Sequence, residues 1–557
     1  MTIEKMKNTS FEKADFDQWK SLAVDSLKGK PFTKLTTNTL EGIDIHPLYY
    51  ESCNHQNTSI IQQMKEERGW IIAQQTIADD ATSFLELLKA SIERGNESIV
   101  YDGTNPMNWN EDELKQLASL LTEYPSYMFN IDSGDSILRV FDLIRVESRD
   151  KVAGIVASNN WAVPEGYIKL RTRGADLWDI HHAGADAVTE LAVSLATASK
   201  LATASNSFAD FAAAFFVRFA IDTHFFMEIA KLRAFRILWK AFAKAYKIDD
   251  APVIPLAAVT SIRSYSKLDP YVNLLRAGNE TFAAVLGGAD IITTHPHDIL
   301  TGPSASSIRY SRNIQLVLRE ESHVGKVLDP AGGSYFIEKL TEELVRNTWT
   351  LFLEIENAGG IDGFLLDDHL LKLTAERNRE LASGKKSLVG TNTYAELIEV
   401  ELKDWNGIKK TERPAGMFES YRQKFATSQP ETVILTFGQL KDFKPRADFV
   451  AGFLSTGGIH SKWSPAFTSA NEAVAWLEKE KPDYAIVCAN DETVQSVMQT
   501  LLNNRPAGIM LDVAGKFNDL LVAAWKEEGL TGTIYNGQDK IAKLQSIHEL
   551  CKGGRHK

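Results

Sequence analysis

A rhythm constrains this chain more than any single residue does. From residue 70 to 300, short apolar, β-rich runs alternate with longer helical ones. The candidate strands are Trp70–Gln74, Ser98–Asp102, Tyr127–Ile131, Val152–Val156, Tyr167–Arg171, Ala213–Ala220, Pro252–Val259 and Ala289–Thr294. Continuously apolar strands separated by helices predict a parallel sheet buried on both faces. Eight such units predict a closed (β/α)8 barrel of the TIM type.

The helical segments carry their own punctuation. Ala81–Arg94 opens after the Asp79–Asp80 pair and stops before Gly95, and Asp112–Thr122 is a second helical stretch. In Phe225–Tyr246, the residues Phe225, Ile229, Leu232, Phe235, Trp239, Phe242 and Tyr246 recur at i+3/i+4 steps. That aromatic stripe predicts core or interface. Residues 300–390 continue as helices. Lys385–Pro430 then turns polar, with Gly390, Gly407, Pro414 and Gly416 scattered through it, and predicts a linker carrying one short helix, Tyr394–Leu402.

Beyond the linker the rhythm restarts at Thr432–Phe437, Tyr484–Ala489, Gly508–Val513 and Thr533–Tyr535, with helices such as Asn471–Lys479 between. This predicts a second, doubly wound α/β domain. The expected division is an arm at 1–35, the barrel at 36–385, the linker at 386–430 and the second domain at 431–557. Within the arm, Phe11, Phe16, Trp19 and Leu22 are spaced by three to five. Such a helix packs either on its own domain or on a partner subunit.

Charge and cysteine usage narrow the function classes. The net charge of −12 repels phosphate backbones, which argues against nucleic acid and anionic membranes as general partners, though a local basic pocket remains compatible. Cys53, Cys488 and Cys551 lie far apart with no CxxC pair, which fits a reducing compartment. The charged start MTIEKMKNTS has no apolar signal core, and no apolar run reaches the ~18–20 residues of a membrane span. A cytoplasmic protein is expected.

Familiar chemical motifs are missing: there is no GxxxxGK[ST], GxGxxG or HExxH. His181–His182 are adjacent and point apart on any regular element, so they do not chelate one metal without special backbone geometry. His295 and His297 follow the strand ADIITT and fall at the carboxyl rim of a barrel, where active sites lie. Asp290 and Asp298 are the nearest carboxylates to complete a metal site there. Leu328–Leu340, LDPAGGSYFIEKL, is a sharp loop whose Gly332–Gly333 allow close backbone approach, either as a tight corner or as a phosphate cradle.

Three ordered segments carry a resemblance: FFMEIAKLRAFRILW (Phe225–Trp239), NETFAAVLGGADIITTHPHD (Asn279–Asp298) and RNIQLVLREESHVGKVLDPAGGSYFIEKLT (Arg312–Thr341). Together they resemble the methylmalonyl-CoA mutase family. The resemblance implies a CoA-ester-binding barrel followed by a flavodoxin-like cobalamin domain, with adenosylcobalamin supplying a deoxyadenosyl radical. Catalytic members carry a DxHxxG loop whose histidine ligates cobalt, whose aspartate orients that imidazole and whose glycine makes room for the cofactor tail. Here the corresponding stretch is Gly438–Pro445. Leu440 stands at the aspartate position, Asp442 at the histidine and Pro445 at the glycine. A carboxylate is a poor replacement for imidazole on cobalt, and leucine cannot accept the orienting hydrogen bond.

The barrel is expected to be eroded in the same way. Four residues before Ala183–Gly184, where catalytic members place a carbonyl-donating histidine, stands Asp179, although a short gap would bring His181 or His182 to that role. Ile168-Lys169-Leu170-Arg171 replaces small serines and predicts a filled barrel axis. These losses resemble the degenerate smaller subunit of heterodimeric family members, non-catalytic itself and stabilising a catalytic large subunit. On that reading adenosylcobalamin sits on the large subunit, and this chain has no catalytic, cofactor-binding or metal residues of its own. The alternatives are an active acyl-CoA mutase that binds cobalamin without a protein histidine, and a mutase-protecting binding protein.

Overall fold

A computed structural model describes residues 3–7, 15–50, 55–158, 161–364, 366–398 and 402–554. Cys53 and Phe11 lie outside the described residues. The strands β1 (Ile71–Ile72), β2 (Ile99–Asp102), β3 (Ser126–Ile131), β4 (Ala153–Ser158), β5 (Lys169–Arg171), β6 (Arg173–Asp176), β7 (Phe215–Ile221), β8 (Leu256–Thr260) and β9 (Ile291–Thr293) form two parallel sheets. One runs β1-β9-β8-β7-β6 and the other β2-β3-β4-β5. Each of the eight expected runs holds a strand, the fifth as β5. β6 lies outside those runs; it follows Thr172, whose N–H leaves the second sheet for the Ala214 carbonyl. The sheets also meet where Gln75 bridges Val100 and the Thr76 N–H donates to the Val100 carbonyl.

Strand alternation sorts the apolar residues. One set faces the space between the sheets: Ala73, Val100, Tyr127, Phe129, Ile155, Phe216, Ala257 and Ile291 form a single buried cluster. The other set faces the surrounding helices. Residues at odd and even positions of a strand necessarily take opposite faces.

The helices α1 (Phe16–Ser26), α2 (Ala81–Ile92), α3 (Glu111–Leu121), α4 (Trp178–His182), α5 (Ala187–Thr203), α6 (Phe225–Ala245), α7 (Pro270–Leu286), α8 (Ala305–Glu320) and α9 (Tyr335–Asn357) include the expected ones. Asp80 caps α2 by accepting from the Ser83 N–H, and Asn110 with Glu113 forms a capping box on α3. The aromatic stripe of α6 is core. Trp239 is stacked on Phe215, and its indole N–H donates to the Pro252 carbonyl at 2.8 Å. Burial of Phe235 and Phe242 stabilises by roughly 1.5–3 kcal/mol each.

The glycine-rich segment after residue 328 is a tight corner. Arg233 of α6 is fully buried and donates to Asp329 at 3.0 and 2.9 Å and to Glu338 at 2.5 Å. Glu338 also accepts from the Gly333 N–H, and Gly333 has φ +85°. A Cβ on Gly332 would lie 2.7 Å from an Asp329 carboxylate oxygen. The glycines therefore admit an internal ion-pair cluster rather than an external phosphate.

One expectation is corrected in the linker. Residues 394–398 are not helical, Tyr394 has φ +52°, and 399–401 lie outside the described residues. The helix lies further on, at α10 (Ala415–Thr427), which Pro414 opens and which buries Phe418, Tyr421 and Phe425. Proline suits a helix start because the N–H it lacks has no partner there anyway.

The third sheet, of β10 (Thr432–Phe437), β11 (Ser461–Phe467), β12 (Tyr484–Cys488), β13 (Met510–Ala514) and β14 (Gly532–Ile534), runs β11-β10-β12-β13-β14, all parallel. On β10, Val433, Leu435 and Phe437 join one buried cluster and Ile434 the opposite one. Helices therefore cover both faces of this sheet.

Candidate functional site at the carboxyl ends of the strands

Ligands of parallel α/β sheets bind at the carboxyl ends of the strands, so two places matter here. The first is the mouth of the paired sheets. Arg218 of β7 interrupts an otherwise apolar strand and grips Asp176 at the end of β6 with two bonds, 2.8 and 2.6 Å. Its guanidinium lies 3.7 Å from the Phe129 ring centroid. Beside it, His295 bonds the Thr260 carbonyl through Nδ1 at 2.7 Å, and the Trp178 ring stands between His295 and His182. Burial presses the His295 pKa down to about 4, so the ring is neutral at pH 7.

Little space remains between these groups. Trp178, Arg218, His295, Phe129, Ile408 and Lys409 enclose a void of about 20 Å³. That volume accommodates about one water and no acyl thioester. The closure comes from residues 402–414, which cross the mouth as a strap. The Trp405 N–H donates to the Leu300 carbonyl, Asn105 donates to the Asn406 carbonyl, and Lys267 pairs with Asp404. Ile408 is buried among Trp178, Val259, Ile262 and Ile299. Lys409 lies 2.6 Å from Asp179.

The expected site residues are therefore dispersed. Asp179 is exposed on the rim and tethers the strap. His181 is fully buried with both nitrogens engaged, Nδ1 to Glu190 at 2.7 Å and Nε2 to Ser261 at 2.8 Å. Burial, reinforced by Arg263, lowers its pKa to about 4. Glu190 in turn holds Lys231 at 2.8 Å, so His181 belongs to an internal network. His182 bonds the Trp178 carbonyl through Nδ1, while its Nε2 has no hydrogen-bond partner among the described residues.

The carboxylates proposed to join His295 and His297 do not. Asp290 precedes β9 at its amino end, where it pairs with Lys65 at 2.8 Å and with Arg236. Asp298 accepts from the Ser304 N–H. Among the described residues no three His, Cys, Asp or Glu side chains gather as a metal site.

The space between the two sheets is filled, but by other residues than expected. Ile168 is 73% exposed and Leu170 packs outward with the helix-side cluster. Arg171 donates to the Ala212 and Phe215 carbonyls, and with Lys169 it lines an opening of about 650 Å³ at the amino ends. Tyr127 faces that opening, Phe129 two residues on faces the mouth void, and Phe216 packs edge-on to Phe129. The sequence reading missed Arg218, Asp176, Ile408 and Lys409. Only Arg218 had a signal, as a charge within AAFFVRFA.

The second place is the crevice after β10. At the stretch expected to correspond to the ligand loop, this chain begins helix α11 (Leu440–Thr456). Gly438 turns with φ +84°, and the Gln439 N–H donates to Asp442 at 3.0 Å, capping the helix. Leu440 is exposed, Phe443 is buried, and Pro445 lies inside the helix. Arg446 reaches across the carboxyl end of β12, donating to the Ala489 carbonyl at 2.6 Å and to Asp491 at 2.5 Å. His460 sits before β11, at the amino end of the sheet. The residues present do not fit a cobalamin: the segment offers no imidazole, its one carboxylate closes a helix cap, and an arginine spans the crevice.

The fold and these sites define an α/β protein of parallel sheets, with the mouth of the paired sheets closed by the chain's own residues. Residues 171–441 match the family model described as methylmalonyl-CoA mutase. The chain is 32% identical over 359 residues to the probable methylmalonyl-CoA mutase small subunit of Mycobacterium bovis, covering 61% of this chain and 58% of that protein. It is 27% identical over 563 residues to the methylmalonyl-CoA mutase small subunit of Porphyromonas gingivalis, covering 88% and 90%. It is also 26% identical over 485 residues to a methylmalonyl-CoA mutase of Cereibacter sphaeroides, covering 73% and 68%. The match thus spans under two thirds of the mycobacterial relative's length. The chain is similar to methylmalonyl-CoA mutases and their small subunits over most of its length.

Proposed function

We propose that this chain is the small, non-catalytic subunit of a heterodimeric, adenosylcobalamin-dependent methylmalonyl-CoA mutase. Its two parallel sheets of residues 70–300 constitute one (β/α)8 barrel, and 431–557 is a flavodoxin-like domain that has lost its cobalamin site. The catalytic large subunit carries the adenosylcobalamin and interconverts (R)-methylmalonyl-CoA and succinyl-CoA in the cytoplasm, while this chain stabilises it.

The observation that carries this reading is the start of α11. Asp442, at the position of the cobalt-ligating histidine, completes a helix cap instead. The closed mouth agrees with it, since a void of about 20 Å³ accepts no CoA ester. The N-terminal arm agrees as well: α1 packs on its own chain through the half-buried Phe16 and Trp19 and has no fully buried residue, and so short a helix gains from further packing. Co-expression with a large subunit from the same family tests the reading. A stable one-to-one complex with cobalamin confined to the large subunit is expected. A chain that stays monomeric beside a folded large subunit overturns it.

A further inference from the structure

Helix α7 is inside out. Its sequence, PYVNLLRAGNETFAAVL, holds two charged residues, Arg276 and Glu280. Both point inward, and Glu280 is fully buried with neither carboxylate oxygen hydrogen-bonded among the described residues. Tyr271 and Leu275 meanwhile stand 75% and 71% exposed. An amphipathic helix packing alone on a sheet takes the opposite rotation, with its charges in water and its leucines against the core.

The outward face has a pattern. Tyr271, Leu275, Gly278 and Phe282 follow one another at steps of four, three and four, the seam spacing of two helices packed knobs-into-holes. Gly278 lies mid-helix, has nothing within 4 Å of where a Cβ would be, and has no positive φ. Glycine in a helix interior is destabilising, and nothing within this chain requires it here. A close backbone approach from outside does require it.

We infer that this face of α7 packs against the equivalent helix of a homologous barrel, which makes it the centre of the subunit interface. The inference rests on the reading of the chain as a mutase subunit. Three observations select this occupant. The stripe is uncharged on a chain of net charge −12, so a second acidic chain meets no like charge there. α7 falls within residues 171–441, which match the family model, so a partner of the same family has the same helix to offer about a pseudo-two-fold axis. The stripe also runs on toward the N-terminal arm. Phe282 touches Phe225, then Phe226, Phe336 and Tyr49 follow ring to ring, and Tyr50, next in the chain, is stacked on Phe16 of α1.

The test uses the full chain, a large subunit of the same family, and the variants Leu275→Arg and Gly278→Ala. Leu275 is exposed and a Cβ on Gly278 meets nothing within 4 Å, so both variants should fold, and Gly278→Ala should raise the melting temperature of the isolated chain. By sedimentation or calorimetry, Leu275→Arg should weaken the complex at least 100-fold and Gly278→Ala at least tenfold. If wild type and both variants bind equally, the α7 face is not the interface, while the subunit reading stands. If wild type fails to bind at all, the subunit reading falls and this inference with it. Self-association of the wild type that both variants abolish would give the face to a second copy and overturn the choice of occupant.

Discussion

The ammonium of Lys409 lies 2.6 Å from the carboxylate of Asp179, and this pair ties a strap across the mouth of the paired sheets. Asp179 thus anchors the cover of a void too small for an acyl thioester. The pair itself is exposed and contributes little energy; the strap is held mainly by what Ile408 buries.

That division of labour is measurable. Lys409→Ala should cost under about 1 kcal/mol, as exposed ion pairs do. Ile408→Ala should cost about 2–4 kcal/mol because it opens a hole among Trp178, Val259 and Ile262. Urea denaturation of the two variants gives the ranking, and equal costs would mean that the strap is held by its charges.

Arg233 should be among the least replaceable residues in the chain. It satisfies Asp329 and Glu338 together, with all three buried. Arg233→Met leaves two buried carboxylates without their cation and should destabilise by about 3–5 kcal/mol. A loss under 1 kcal/mol in chemical denaturation would show that the corner stands without the ion pairs.

Stability should fall on acidification. His181 and His295 have folded pKa values of about 4, depressed from 6.5 chiefly by burial. Their contribution is complete above pH 6.5 and is lost as pH falls toward 4, by about 3 kcal/mol each. Glu228 acts oppositely: burial raises its pKa to about 7, and its contribution is complete below 4.5 and lost as pH rises through 7. The two histidines therefore pull stability down between pH 6.5 and 4, and Glu228 opposes them over the same window. His295→Gln should show a shallower decline than wild type in denaturation series at each pH, and an unchanged slope would remove His295 from the account.

Asp442 should matter for stability rather than for cobalt. Asp442→Ala frees the Gln439 N–H and should cost about 1 kcal/mol. Asp442→His should create no cobalamin site, because Leu440 cannot orient an imidazole and Arg446 still crosses the crevice. Spectroscopic cobalamin binding by that single variant would show that the crevice is open after all.

Periodicity made the strands legible, and side-chain register did not. Each apolar run from Trp70 to Thr294 became a strand, because burial on both faces leaves an unmistakable composition. β11 escaped because SKWSPAF, with Lys462 and Pro465, is a sheet edge and has the polar character of one. Ile168–Arg171 was expected to fill the axis, yet facing depends on a one-residue register that composition does not encode. The helix at Ala415–Thr427 was readable from Phe418, Tyr421 and Phe425 at helical spacing, had Pro414 been taken as a helix start instead of a linker signal. The closed mouth was beyond reach. Ile408 and Lys409 lie over a hundred residues along the chain from the strands they cover, and no local pattern reports that contact.

The most direct measurement is titration of the purified chain alone with adenosylcobalamin, followed by absorbance and electron paramagnetic resonance, with methylmalonyl-CoA turnover assayed in parallel. The account predicts no saturable spectral change, no axial-nitrogen signature and no turnover until a large subunit is added. Saturable binding with a protein-imidazole signature, or turnover by this chain alone, would contradict it.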